Sequence, residues 1–348
     1  MKHKQTLKKS IRLFFRNIWV VGIVTALIDG LVLFYWQANI KRAEIAKDMN
    51  ANTVTLDDLK KYTDDEISST IETHEKLVKR IKEEFLFPDF LAKEQLILGR
   101  LYLKQAEHIN NAISIDKALS SLREAQSFYT KDNYPQEYAK SLINTANAYL
   151  WLSEIKDYTE NHKKALEECE KILTIPNIQK YPVELTNAYG TKGVAYEELS
   201  RQKQRSENYE KAIESYKKAL KYVDKKSNPD SFWKLTFNLT QAELSSDHND
   251  KEGIKKIMSY LENFSTDKVG FPYQYLMIKI NLARAYQKLY KQTNALDDAL
   301  RARDEFNNSI LNDNFLKEKY PDVFATAQAD QAAVYLEIGK KTKEKTDF

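Results

Sequence analysis

Two hydrophobic patterns divide the chain. The first is a nearly unbroken apolar run at 18–36, IWVVGIVTALIDGLVLFYW, interrupted by a single acid, Asp29. As a helix this run matches a hydrocarbon core of about 30 Å, so it predicts a transmembrane anchor. A buried core helix is the other reading of such a run, and the charges that flank it favour the span. After it the apolar residues recur at helical spacing. Ile67, Ile71, Val78, Ile81 and Phe85 share one face, which predicts a long amphipathic helix over 55–87, and 37–54 reads as a short linker to the membrane segment.

From residue 88 the pattern repeats, and prolines mark the period. Pro88, Pro135, Pro182 and Pro229 stand 47 residues apart, and Pro272 and Pro321 continue the series at 43 and 49. Proline suits the first helical position, where its missing N–H is not needed. Three residues on stand Leu91, Tyr138, Leu185, Phe232, Tyr275 and Phe324, all large and apolar. Eleven on stand Gly99, Ala146, Gly193, Thr240, Ala283 and Ala332, all small. Fourteen on stand Tyr102, Tyr149, Tyr196, Glu243, Tyr286 and Tyr335. These offsets fall on one face at 3.6 residues per turn, so they are the inward positions of one helix type.

A second helix follows the tyrosine. Lys117-Ala118-Leu119, Lys164-Ala165-Leu166 and Lys211-Ala212-Ile213 each place the alanine 16 residues after it. Leu122, Cys169 and Tyr216 occupy the slot one turn further on. The unit is therefore an antiparallel helix pair.

This pattern resembles the tetratricopeptide repeat (TPR) family, in which the first helix carries small-x-x-Tyr and the second Ala-x-x-x-aromatic-x-x-Ala. YGTKGVAY with YEKAIESYKKAL, at 189–196 and 209–220, carries the resemblance best, and INLARAY with NALDDALRA, at 280–286 and 294–302, is a second instance. In the latter the Tyr286-to-Ala295 interval is 9, the family's usual value. In the first three units seven extra residues lengthen the pair. HEAT and armadillo repeats have similar periods and are the alternative. The expected architecture is all-α: a TPR-like α-solenoid of five hairpins and a final helix over 88–340, capped by 55–87 and ending in a charged tail at 341–348. In the fourth unit Glu243 replaces the tyrosine, and Gly253 or Ile254 the alanine of the second helix.

Charge adds topology. Six basic residues (Lys2, Lys4, Lys8, Lys9, Arg12, Arg16) precede the apolar run, against Lys41, Arg42 and Lys47 after it. The positive-inside rule puts the basic N-terminus, 1–17, in the cytoplasm and the large domain outside it, a single-pass arrangement in the plasma (inner) membrane, periplasmic in a Gram-negative cell. From residue 37 on, 48 basic groups meet 49 acidic ones, so the formal +4 is no footprint for nucleic acid. Within the anchor Gly22, Ala26 and Gly30 share a small face with Asp29 beside it, which fits association with a second copy or a partner transmembrane helix. A protonated Asp29 merely tolerated in the lipid is the plainer reading.

No pattern for chemistry emerges. Only 8 glycines occur, with no GxGxxG or GxxxxGK[ST]. His3, His74, His108, His162 and His248 are dispersed, and Cys169 falls in an apolar slot as a small buried hydrophobe. Neighbouring acids such as Asp64-Asp65 and Asp297-Asp298 splay apart on a helix. No catalytic, cofactor or metal site is expected. What the resemblance implies is a concave face of first helices that binds a protein or peptide. By that analogy Arg100, Asn147 and Arg284, with Lys104, Trp151 and Glu198 a turn further on, line it. Trp151 is either a partner anchor or packing against the next unit. The expected role is a non-enzymatic membrane-anchored scaffold for a membrane-associated complex. A ligand sensor signalling through the anchor, or a cytosol-facing receptor if the topology is reversed, are the alternatives.

Overall fold

A computed structural model describes residues 30–346 apart from 85–86, 110, 203–204, 247–249, 264–271 and 313. Among the described residues every regular element is helical, and helices adjacent in sequence pack as pairs. The chain forms two compact units, Met1–Phe128 and Tyr129–Phe348.

In the first unit α1 (30–51), α2 (Leu56–Lys61), α3 (Asp64–Glu84), α4 (Pro88–Ile109) and α5 (Ala112–Phe128) follow in order. The expected linker at 37–54 is instead helical as far as residue 51. Ile45 and Met49, one turn apart, bury in a cluster with Ile81 and Phe87, and Arg42 and Arg80 pair with Asp89 and Asp48. The expected single helix at 55–87 is broken at Tyr62-Thr63. Thr55 caps α2 in a reciprocal bond with Asp58, and Thr63 accepts from the Glu66 N–H at 3.3 Å while Glu66 accepts from the Thr63 N–H at 2.7 Å. Two capping boxes thus start two helices. α3 packs on α4, and its buried face holds Ile67, Ile71, His74, Leu77, Val78 and Ile81. His74 lies in that face because Nδ1 meets Glu94 Oε2 at 2.5 Å, both side chains being fully buried.

The span expected at 18–36 lies mostly outside the described residues, as do Gly22, Ala26 and Asp29 and the N-terminus 1–17. Its described end at 30–36 is helical, and the six side chains from Leu31 to Trp36 are each more than half exposed. A Cβ on Gly30 would meet nothing within 4 Å. Among the described residues no helix is long and apolar enough to cross a membrane.

The second unit continues with α6 (Pro135–Ile155), α7 (Tyr158–Leu173), α8 (Pro182–Ser200), α9 (Arg205–Leu220), α10 (Pro229–Ser245) and α11 (Lys251–Asn263). Then come α12 (Pro272–Thr293), α13 (Leu296–Asp304), a π-helical stretch at Glu305–Leu311, α14 (Asn314–Lys319) and α15 (Pro321–Thr346). All six prolines of the periodic series begin a helix. The short α6–α7 and α12–α13 connections carry Asp157 and Asn294 at φ 50° and 53°, left-handed conformations that these two residue types tolerate. The first helices α6, α8, α10 and α12 also pack on one another in sequence. The tail expected from 341 is helical to Thr346.

Two features explain the repeated residues. The small residue marks where paired helices touch: a Cβ on Gly99 would lie 2.6 Å from Leu122 Cγ, and one on Gly193 2.3 Å from Tyr216 Cε1. The Lys-Ala pair places its cation over the tyrosine of the first helix, with Lys117 Nζ 5.2 Å from the Tyr102 ring centre, Lys164 5.8 Å from Tyr149 and Lys211 5.7 Å from Tyr196. Arg301 stands 5.9 Å over Tyr286 in the same way. This corrects the fifth pair. Its packed alanine is Ala302, fully buried and 16 residues after Tyr286, while Ala295 is an exposed, extended cap. The spacing of 9 is therefore not used, and the π-helical stretch carries the next buried residues, Phe306 and Ile310. In the fourth pair Ile254 is fully buried and Gly253 half-buried.

Gly193→Ala should destabilise the second unit by about 1 to 3 kcal/mol, the usual cost of forcing an extra carbon into a packed contact. Adding Tyr216→Cys, which copies the Ala146 and Cys169 arrangement of the preceding pair, should restore the melting temperature. Equal melting of wild type and Gly193→Ala would show that the helices can part there freely.

Candidate binding groove

The first helices of three successive pairs, α6, α8 and α10, line a groove of about 310 Å³. Asn147 and Trp151 contribute from α6, Asn187, Thr191 and Val194 from α8, and Lys234 and Asn238 from α10. The glycine at 190 lies in the same wall, where a Cβ would come within 3.2 Å of Leu235 Cδ2. Among the described residues no carboxylate, imidazole or thiol lines this groove. Its polar lining is amide and hydroxyl, and Lys234 is its one charge. That lysine is exposed and has no partner among the described residues.

The position of each side chain follows from the period. Residues about one repeat apart on successive first helices face each other and bond: Thr191 Oγ1 donates to Asn147 Oδ1 at 3.2 Å, and Gln136 Nε2 to Glu184 Oε1 at 2.9 Å. Further along, a relay joins side chains of five helices, α9, α8, α10, α12 and α15. Tyr216 donates to Glu197 Oε2 at 2.8 Å and Gln241 Nε2 to Glu197 Oε1 at 3.0 Å. Arg284 then donates to Gln241 Oε1 at 3.4 Å and to Asp330 Oδ2 at 2.7 Å. Burial raises the Glu197 carboxyl above its ordinary value, against the lowering effect of the Tyr216 hydroxyl.

Of the residues expected to bind a partner, the structure brings Asn147 and Trp151 together in the groove, Trp151 half-buried. Glu198 is instead engaged within the protein, accepting from the Tyr158 hydroxyl at 3.1 Å and pairing with Arg201 at 2.9 Å. Burial beside that carboxylate pushes the Tyr158 phenol up to about 12. Arg284 belongs to the relay just described. Arg100 and Lys104 sit on α4 of the first unit. Lys104 pairs with Glu107 at 2.6 Å, while burial lowers the Arg100 guanidinium and leaves its Nη2 without a partner. Lys234, Asn187 and Asn238 were not anticipated. Asn187 and Lys234 stand five residues after their prolines and Asn238 nine after, two turns and one turn ahead of the offset of 12 that picks out Asn147 on the same helix face. Cys169 is fully buried, and that burial pushes its thiol up to about 12, which leaves no thiolate at neutral pH. Among the described residues no group of three or more His, Cys, Asp or Glu is placed to hold a metal.

No family model matches the chain, and no curated protein matches it in sequence. The class that the fold defines is therefore structural: an all-helical protein of successively packed helix pairs.

The relay makes a pH prediction. A carboxyl whose folded pKa lies above its ordinary 4.5 stabilises the fold most when protonated, and that contribution is lost as pH rises above 4.5 through the folded value. Glu197→Gln removes the loss. The melting temperature of the variant relative to wild type should rise between pH 4 and pH 7, and a difference that stays constant over that range would show that Glu197 carries no burial penalty.

Proposed function

We propose that the chain is a non-enzymatic scaffold of the tetratricopeptide type, anchored in a membrane by 18–36, that holds a peptide segment of a partner protein along α6, α8 and α10. The observation that carries this reading is the groove itself. It is walled by the same face of three successive first helices, and it offers amides, hydroxyls, one aromatic ring and one unpaired cation. Amides at Asn147, Asn187 and Asn238 suit the donors and acceptors of an extended backbone, Trp151 offers apolar area, and Lys234 selects a segment with an acidic side chain. Such a face is built to bind. Reading the small-x-x-Tyr helices as tetratricopeptide units rests on the residue pattern, and the lengthened interval of 16 in four pairs is a departure from the family.

The anchor draws support from 30–36, where six large apolar side chains stand exposed on a helix that leads back into the apolar run. Water is a poor solvent for such a surface, and lipid a good one. With the basic flank at 1–17 inside, the large domain is exported and serves a membrane-associated complex.

Two measurements test the two halves. A displayed peptide library panned on the chain should yield acidic segments that bind saturably, and Trp151→Ala with Lys234→Ala should weaken them by about tenfold or more without loss of helicity. A library that yields none, or a folded double variant that binds as well, would remove the groove from consideration. For the anchor, alkaline phosphatase fused after Phe348 should be active in a bacterial host and a green fluorescent protein at the same place dark. The reverse pattern would place the domain in the cytoplasm.

A further inference from the structure

Beyond the groove, Lys234 and Asn238 also border a second cavity, of about 320 Å³, between α10, the end of α11 and α12. We propose that this cavity is a binding site for a small planar aromatic molecule bearing one hydrogen-bond donor, of the indole class. The proposal is independent of what occupies the groove.

Size sets the first limit. An apolar cavity of about 150 Å³ holds one benzene ring, so twice that volume admits two fused rings. The walls set the second. Trp233, Phe237, Leu261, Met277 and Ile278 line it, and flat aromatic walls favour a flat aromatic guest. Lys234 and Tyr273, both exposed, mark where the cavity reaches solvent.

The donor is called for by Asn281, which lines the cavity and is fully buried. Its Nδ2 donates to the Phe237 carbonyl at 3.1 Å and to Thr240 Oγ1 at 2.6 Å. A carbonyl can only accept, so the amide cannot be turned over, and Oδ1 is left on the other side. Among the described residues that oxygen has no partner. A buried acceptor without a donor is costly, and an N–H entering among apolar walls supplies what the protein does not.

The test uses the full chain in detergent, with detergent alone as the blank. Indole, followed by calorimetry or by shifts of the ring signals in NMR, should bind saturably. Benzothiophene, the same size without the N–H, should bind at least about tenfold more weakly, because it leaves Asn281 Oδ1 unpaired. Met277→Trp, which fills the cavity from its own wall, should abolish both while circular dichroism and melting show it folded. Three outcomes would each overturn the proposal: no saturable binding of indole to wild type, equal affinity for the two probes, or undiminished binding by a folded Met277→Trp. The comparison of the two probes needs only the wild-type chain, so it decides even if the variant does not fold.

Discussion

Everything in this architecture depends on how closely the two helices of a pair can approach. At Gly193 the partner is Tyr216, whose ring occupies the space a methyl group would need. At Gly99 the partner is a leucine in the same relation. Where the facing slot holds the smaller Cys169, the first helix carries Ala146, and both are fully buried. Small and large thus trade across the seam, and the total volume is held roughly level. The approach has a further effect: it brings the basic residue before the packed alanine over the tyrosine of the first helix. Each such contact is worth about 0.5 to 1 kcal/mol at an exposed site, modest alone, but it recurs in four pairs and fixes the same register each time.

Apolar seams join the two helices of a pair, whereas in the second unit polar side chains tie one pair to the next. Asn281 reaches back to Phe237 and Thr240, Gln241 to Glu197, and Arg284 forward to Asp330. These bonds are directional, so they set the offset between neighbouring first helices more tightly than packing alone would. They also consume charge. Arg284 and Glu198 look like outward-facing recognition residues when counted by offset, yet both are spent on neighbours inside the protein. What the network leaves over is informative for the same reason. Lys234 on the groove and the buried Oδ1 of the cavity-lining Asn281 are among the groups that it leaves without a partner among the described residues.

Much of this was legible in the chain because a period of about 47 residues repeats enough times to separate signal from accident. Six prolines at helix starts, the small residue at the eleventh offset and the tyrosine at the fourteenth all describe helices that the structure contains. The misses have local causes. Thr55 and Thr63 each begin a capping box, and a hydrophobic pattern read at one periodicity runs straight over such a break. Ile45 and Met49 are only two buried residues in a stretch that also holds Lys41, Arg42, Glu44, Lys47 and Asp48, too sparse a stripe to mark a packed helix. The family's usual spacing of 9 points to Ala295, but the basic residue ahead of the alanine is the better guide: Arg301 precedes Ala302 as Lys117, Lys164 and Lys211 precede theirs. His74 gave no sign at all, since its partner Glu94 lies 20 residues away on another helix.

The same constraints bear unequally on the faces of a first helix. A first helix has three jobs on three faces: to meet its own partner, to bond the first helices on either side, and to face the groove. The first two are fixed by volume and by hydrogen-bond geometry, which leaves little freedom to vary. The groove face is the least constrained of the three. Asn147 shows the overlap of two of these roles, for its Oδ1 holds Thr191 while its side chain still lines the groove. Lys234 and Asn238 go further, bordering both groove and cavity from a single turn of α10. Groove and cavity are thus neighbours that share one stretch of a first helix, and the side chains that close one also border the other.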